Sequence, residues 1–133
     1  MSDARTVIQR YFDAFNAGDT EAMLDCLSTD VEHHVNEGMI RVGKIKFGEF
    51  CAHMSHCYRE ELTDMVVLVS EDGTRAAAEY VVNGTYLNTD AGLPEAREQT
   101  YRLPAGSFFS LRDGQITRVV TYYNLSDWIR QVS

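Results

Sequence analysis

The stretch QRYFDAFNAGD, residues 9–19, spells the end of one helix, a stop and the start of another. Val7, Ile8, Tyr11, Phe12 and Phe15 fall on one face at helical spacing, and Ser2 or Asp3 is placed to cap the start. Gly18 suits a left-handed position that closes a helix, and Asp19 suits the N-cap of the next. That second helix is expected over about residues 20–27, burying Met23, Leu24 and Leu27.

Outward from this point the chain changes period. VEHHV, residues 31–35, alternates as a strand, and a turn at Glu37 and Gly38 leads to a short extended MIRV at 39–42. A third helix is expected over 44–58, with Phe47, Phe50, Cys51, Met54 and Tyr58 as its apolar stripe. The remainder is strand-like. LTDMVVLVS and TRAAAEYVVNGTYLN flank a turn at Glu71-Asp72-Gly73, and QTYRLPAGSFFSL and QITRVVTYYN flank one at Arg112-Asp113-Gly114. Pro104 to Gly106 predicts a bulge or bend in its strand. The polar loop 88–98 is a candidate rim or lid, and a closing helix is expected over 125–132. Helices first and antiparallel strands after give an α+β fold. Three N-terminal helices pack on the concave face of a curved, mostly antiparallel sheet, as one conical half-barrel domain over residues 1–133. A bent sheet crossed by a helix is a natural ligand chamber.

Composition narrows the function classes. At 133 residues the chain suits one core, and 44% hydrophobic with 24% charged residues is ordinary for a globular protein. A net charge of −8 argues against nucleic-acid partners and against docking on anionic membranes. No apolar run reaches the length of a transmembrane helix. Cys26, Cys51 and Cys57 lack the spacing of a disulfide framework. With no basic and apolar leader pattern in MSDARTVIQRYF, a cytoplasmic location with reduced thiols is expected.

QRYFDAFNAGD, then DVEHHVNEG, then RDGQITRVVTYYNLSDW resemble, in that order, the nuclear transport factor 2-like superfamily, and within it SnoaL-like and ketosteroid isomerase-related proteins. The resemblance spans nearly the whole chain. It implies a conical α+β barrel, a small-molecule ligand in the cone, no cofactor, and a homodimer through the outer sheet face. It also implies a role for Tyr11, which matches a tyrosine that holds a developing oxyanion in ketosteroid isomerases. Other family positions depart. Val35 stands where those enzymes carry their aspartate base, Gly106 where they carry a protonated aspartic acid, and Asn124 where SnoaL-like cyclases carry an acid/base aspartate.

If the pocket does acid/base work, its base must lie near the lost position. Alternation puts Val31, His33 and Val35 on one face, and Glu32, His34 and Asn36 on the other. His33 is therefore the candidate base, and a one-residue slip would exchange it with His34. Asn36 and Glu37 belong near the pocket mouth, or simply to the turn. The last strand should present Val119, Thr121 and Tyr123 to the pocket, with Asn124 at its end as site residue or helix cap. Phe50, Met54 and Phe108 complete the expected lining. Glu79, in an apolar strand, belongs either on the solvent or dimer face or in a buried position with a raised pKa. Cys51, His53, His56 and Cys57 invite a metal reading, but no second pair completes a zinc spacing, so none is assigned. The expected function is cofactor-independent proton transfer on a small apolar cyclic carbonyl compound, by an isomerase, lyase or hydrolase step. A non-catalytic ligand-binding module is the alternative.

Overall fold

A computed structural model describes residues 3–36 and 38–133. The proposed capping by Ser2 and the mouth position of Glu37 lie outside the described residues. The elements are α1 (Ala4–Ala17), α2 (Thr20–Asp25), β1 (Leu27–Val35), β2 (Arg41–Val42), α3 (Lys44–Cys57), β3 (Tyr58–Val69), β4 (Arg75–Tyr86), β5 (Thr100–Arg112), β6 (Gln115–Tyr123) and α4 (Leu125–Val132). The class is α+β, as expected. Among the described residues no helix is long and apolar enough to cross a membrane.

The first turn of the chain is built as its residue types dictate. Asp3 accepts from the Thr6 amide at 2.8 Å, which starts α1. Gly18 takes φ 70 and ends it, and Asp19 then caps α2 through the Ala22 amide at 3.1 Å. The second helix is shorter than expected, because Leu27 already pairs with Ile116 as strand and is fully buried there.

The six strands form one sheet in the order β2-β1-β6-β5-β4-β3. All neighbours are antiparallel except β1 and β6. The β5–β6 hairpin turns on two residues, Asp113 (φ 54) and Gly114 (φ 77), both in the left-handed region that a tight hairpin of this twist requires.

The expected bulge at Pro104–Gly106 is not there. β5 pairs with β4 without a break from Arg75–Ser110 to Thr85–Thr100. Pro104 is tolerated because β6 ends opposite Ala105, so β5 has only one neighbour strand at that point. Register shifts lie elsewhere: against β6 at Ser110/Leu111 of β5 and Leu27/Glu32 of β1, and on β3 between Thr63 and Val66, where Asp64 takes φ 55. An extra residue there bends the edge strand and sharpens the sheet's curl.

The core sits between the concave face and the helices. Val7, Ile8, Tyr11 and Phe12 of α1 meet Tyr80 of β4, Phe109 of β5 and Val119 of β6 there, all nearly inaccessible to solvent. Tyr11 packs edge-on to Phe12, Phe47 and Phe109, with centroids 5.2, 6.4 and 5.7 Å apart.

Candidate functional site: a carboxylate and tyrosine chamber

Beyond that core the curled sheet does not fill, and a cavity of about 700 Å³ remains between its concave face, α1 and α3. The size suits a small organic ligand. Alternation along the strands decides what faces it. Tyr58 and Glu60 come from β3, Tyr101, Leu103 and Ala105 from β5, and Thr121 and Tyr123 from β6.

Two carboxylates enter this largely apolar space. Glu60 accepts a hydrogen bond from the Tyr101 hydroxyl. Burial pushes its carboxyl above the ordinary carboxylate range, and the Tyr101 bond only partly opposes the shift. Asp90, on the 88–98 loop, accepts from the Tyr58 hydroxyl at 2.7 Å and lies 2.9 Å from His53 Nε2. Its own amide donates to the Tyr86 hydroxyl at 2.9 Å, which in turn donates to the Pro94 carbonyl at 2.7 Å. The loop is thereby tied to the rings of the sheet. Tyr86 stacks on Tyr58, and Trp128 closes on both edge-on.

The tyrosines are held protonated. Burial first, then Asp90, raises the Tyr58 hydroxyl, and burial first, then Glu60, raises that of Tyr101. The Tyr123 hydroxyl is raised by burial and then by both acids, so it faces a chamber in which Glu60 and Asp90 are felt together. Burial also raises Tyr11 well above the usual phenol range. Such hydroxyls donate hydrogen bonds and do not ionise. Those of Tyr58 and Tyr101 are engaged by the carboxylates; those of Tyr11 and Tyr123 have no partner among the described residues.

Gly84 is what lets Tyr101 reach Glu60. The two are register partners on β4 and β5, and a Cβ at position 84 would overlap the Tyr101 ring and hydroxyl. The ring lies across the space that a side chain would occupy.

The structure divides the residues singled out from the sequence. Tyr11, His33, Val35, Phe50, Met54, Thr121 and Tyr123 line the chamber. Five others do not. His34 points to the opposite face of β1, with Nε2 3.9 Å from Glu32. The Asn36 side chain accepts from the Tyr123 amide at 2.8 Å and pins the end of β1 to β6. Phe108 is on the outer sheet face, 46% exposed. Val119 is sealed in the core below the chamber. Asn124 caps α4 by accepting from the Asp127 amide at 3.0 Å. Glu79 is exposed on the outer face.

His33 is a poor base as placed. It is 4% exposed, packed at 4.5 Å on Phe47 and 4.7 Å on Phe50. Burial, then Arg41 and His34, push its pKa down to about 4, so the ring is neutral at physiological pH.

Glu60 was missed because the sequence reading ran the third helix through Tyr58 and began the next strand at Leu62. The alternation Tyr58, Glu60, Leu62 was the available signal. Asp90 carried none, since only the fold brings loop 88–98 over the rings. As for a metal, His53, Cys57 and Asp90 place one donor atom each within 4.8 Å of one another. Neither Cys51 nor His56 of the sequence cluster belongs to that trio, and both oxygens of Asp90 already have protein partners.

The profile of the SnoaL-like domain matches residues 8–119. The chain belongs to the SnoaL-like family. A nuclear transport factor 2-like protein from Burkholderia pseudomallei K96243 shares the fold at 16% identity, with 100% of this chain and 99% of that one covered and a TM-score of 0.78. A solved structure from Silicibacter sp. TM1040, described as a candidate polyketide cyclase, is 76% identical, with 98% of this chain and 96% of that one covered and a TM-score of 0.97. A second candidate polyketide cyclase, from Pseudomonas putida KT2440, is 50% identical over the full length of both chains, with a TM-score of 0.99. A phenazine biosynthesis-related protein from Pseudomonas aeruginosa shares the fold at 20% identity, 97% and 84% coverage and a TM-score of 0.81. No curated protein matches the chain.

Proposed function

We propose that this SnoaL-like chamber moves a proton on a small, mostly apolar carbonyl compound without a cofactor, in an isomerase- or cyclase-type step. The observation that carries the proposal is Glu60, a carboxyl with a raised proton affinity facing an apolar chamber among tyrosine hydroxyls. The likeness to two candidate polyketide cyclases supports the same class of chemistry.

In this reading Glu60 carboxylate takes a proton from the carbon beside the carbonyl. The electron pair of that C–H bond moves onto the carbonyl oxygen, which the free hydroxyl of Tyr11 or Tyr123 stabilises by donating to it. The Glu60 acid then returns its proton to another carbon of the same molecule. For ring closure, the carbanion instead attacks a second carbonyl of that molecule, whose oxygen takes the proton. His33 has no part in this transfer.

The test is deuterium uptake from D₂O into cyclic ketones and cyclohex-3-enone, read by mass spectrometry. Glu60→Gln should slow uptake by roughly 10²–10⁴-fold. His33→Ala abolishing uptake while Glu60→Gln leaves it unchanged would return the base to β1. Wild-type protein that binds these ketones with no uptake would favour the non-catalytic binding module, to which Val35, the residue at the family's base position, lends support.

Assembly is part of the same proposal. On the outer sheet face Leu68, Ala77 and Phe108 stand in one cross-strand row, and Val66, Glu79, Gly106 and Tyr122 in the next. Val66, Leu68, Phe108 and Tyr122 are 50%, 64%, 46% and 52% exposed. A second copy of the chain is the proposed cover for this apolar face. Leu68→Glu should convert a dimer to a monomer in analytical ultracentrifugation, and an unchanged mass would remove the assignment. A cytoplasmic location fits the three free cysteines.

A further inference from the structure

The wall of the chamber formed by β1 and β2 carries two polar groups that proton transfer by Glu60 does not use. His33 and Arg41 are register partners in the antiparallel pair, so their side chains stand next to each other on one face. Both line the chamber. Both also rest on one ring, with the His33 centroid 4.7 Å from that of Phe50 and the Arg41 Cζ 4.7 Å above it. The guanidinium is close enough to His33 to be felt in its titration.

Each group is short of a partner. His33 is 4% exposed, and its Nδ1 has none among the described residues. Arg41 appears in no ion pair among the described residues. A buried imidazole nitrogen without a partner is costly, and so is a guanidinium drawn over a ring with no counter-charge among the described residues. One ligand answers both needs: a planar anion with two oxygens, one for the guanidinium fork and one for the N–H that the neutral imidazole presents to the chamber. The chain as a whole repels anions, with a net charge of −8, so an anionic ligand requires a local cation of this kind. The sheet order sets this wall at the edge opposite β3, which carries Glu60.

We infer that Arg41 and His33 form a carboxylate subsite, and that the substrate is a carbonyl compound bearing a carboxylate, gripped by that end at the β1–β2 wall. Resting on the proposed proton-transfer reading, the inference names the substrate class and gives His33 a binding role in place of a catalytic one. The carbonyl end then extends towards Glu60 and the free tyrosine hydroxyls.

The probes are 3-phenylpropanoate and its neutral amide, 3-phenylpropanamide, titrated into the full-length protein by calorimetry. The acid should bind more tightly than the amide by roughly tenfold to a hundredfold, the range expected for charge-assisted hydrogen bonds. Arg41→Gln should abolish that preference while leaving amide binding within about twofold, a change too small to signal lost packing. Arg41→Lys should keep part of the preference, because lysine supplies charge without the fork. In ¹⁵N spectra the acid, and not the amide, should shift the His33 ring nitrogen signals. Amide binding as tight as acid binding, an acid that does not bind, or equal loss of both probes in Arg41→Gln would each overturn the subsite. Calorimetry needs no turnover, so the two readings fail separately. Absent deuterium uptake with the acid preference intact removes only proton transfer. Uptake into neutral ketones without an acid preference removes only the subsite.

Discussion

The contact between Gly84 and Tyr101 makes a demanding prediction about Gly84→Ala. Alanine normally improves a strand position over glycine by about 0.5–1 kcal/mol, because glycine loses more chain entropy on folding. Here the new methyl would overlap the Tyr101 ring and hydroxyl. The ring must tilt away, which is overpacking at about 1–3 kcal/mol. Tilting also withdraws the hydroxyl from Glu60, a hydrogen bond to a charged group worth about 1.5–3 kcal/mol. The sum, less the strand gain, is a destabilisation of about 2–5 kcal/mol. That is a large part of the total for a chain of this size but leaves it folded. In a Tyr101→Ala background the ring is gone, and the same Gly84→Ala change should stabilise by about 0.5–1 kcal/mol. Urea unfolding followed by the fluorescence of Trp128, the only tryptophan and 5.9 Å from the Tyr101 ring, reads all four proteins. Equal effects of Gly84→Ala in the two backgrounds would refute the argument that Tyr101 depends on the bare backbone at position 84.

Further outcomes follow from the charges in the chamber. Glu60 binds its proton more tightly folded than unfolded, so its contribution to stability falls as pH rises from the unfolded value through the raised folded one. Glu60→Gln should therefore flatten that decline and leave the protein at least as stable as wild type at neutral pH, measured by thermal melts across pH. His33 has the opposite sign. Its folded pKa of about 4 lies below the ordinary 6.5, so stability should rise with pH between those values, by about 3 kcal/mol at most. His33→Phe, which keeps a ring on Phe47 and Phe50, should remove that rise in urea titrations at pH 4, 5 and 6.5. Asp90→Asn should loosen the 88–98 loop by weakening its bonds to Tyr58 and His53, seen as faster amide hydrogen exchange at residues 88–93.

The composition of the chamber explains why acid and tyrosine chemistry is available at all. Four tyrosines, two carboxylates and two arginines, Arg41 and Arg59, sit within mostly apolar walls. In such a medium a carboxylate gains basicity and a hydroxyl keeps its proton, which is the division of labour that proton transfer near a carbonyl requires.

Local chemistry alone dictates the element order. Gly18 and Asp19 can only stop one helix and start another, and Asp113-Gly114 can only turn a hairpin, because each role depends on the residue's own backbone and side chain. Strand period likewise put His33, Val35, Thr121 and Tyr123 on the chamber side. Contacts distant in sequence were beyond that reach. Glu60 meets Tyr101 forty-one positions later, and Asp90 meets Tyr58 and His53 only through a loop that no periodicity describes. Val119, on the correct face of its strand, is core and not lining, because it pairs in register with Phe109, on which Tyr11 and Phe12 of α1 pack. Residue types and strand period thus settle the elements and the inward faces of β1 and β6, but not that of β5, where Phe108, expected inside, points out. Which acid is buried, and which tyrosine stands beside it, is set by the assembled fold, because burial and proton affinity are properties of the surroundings and not of the residue.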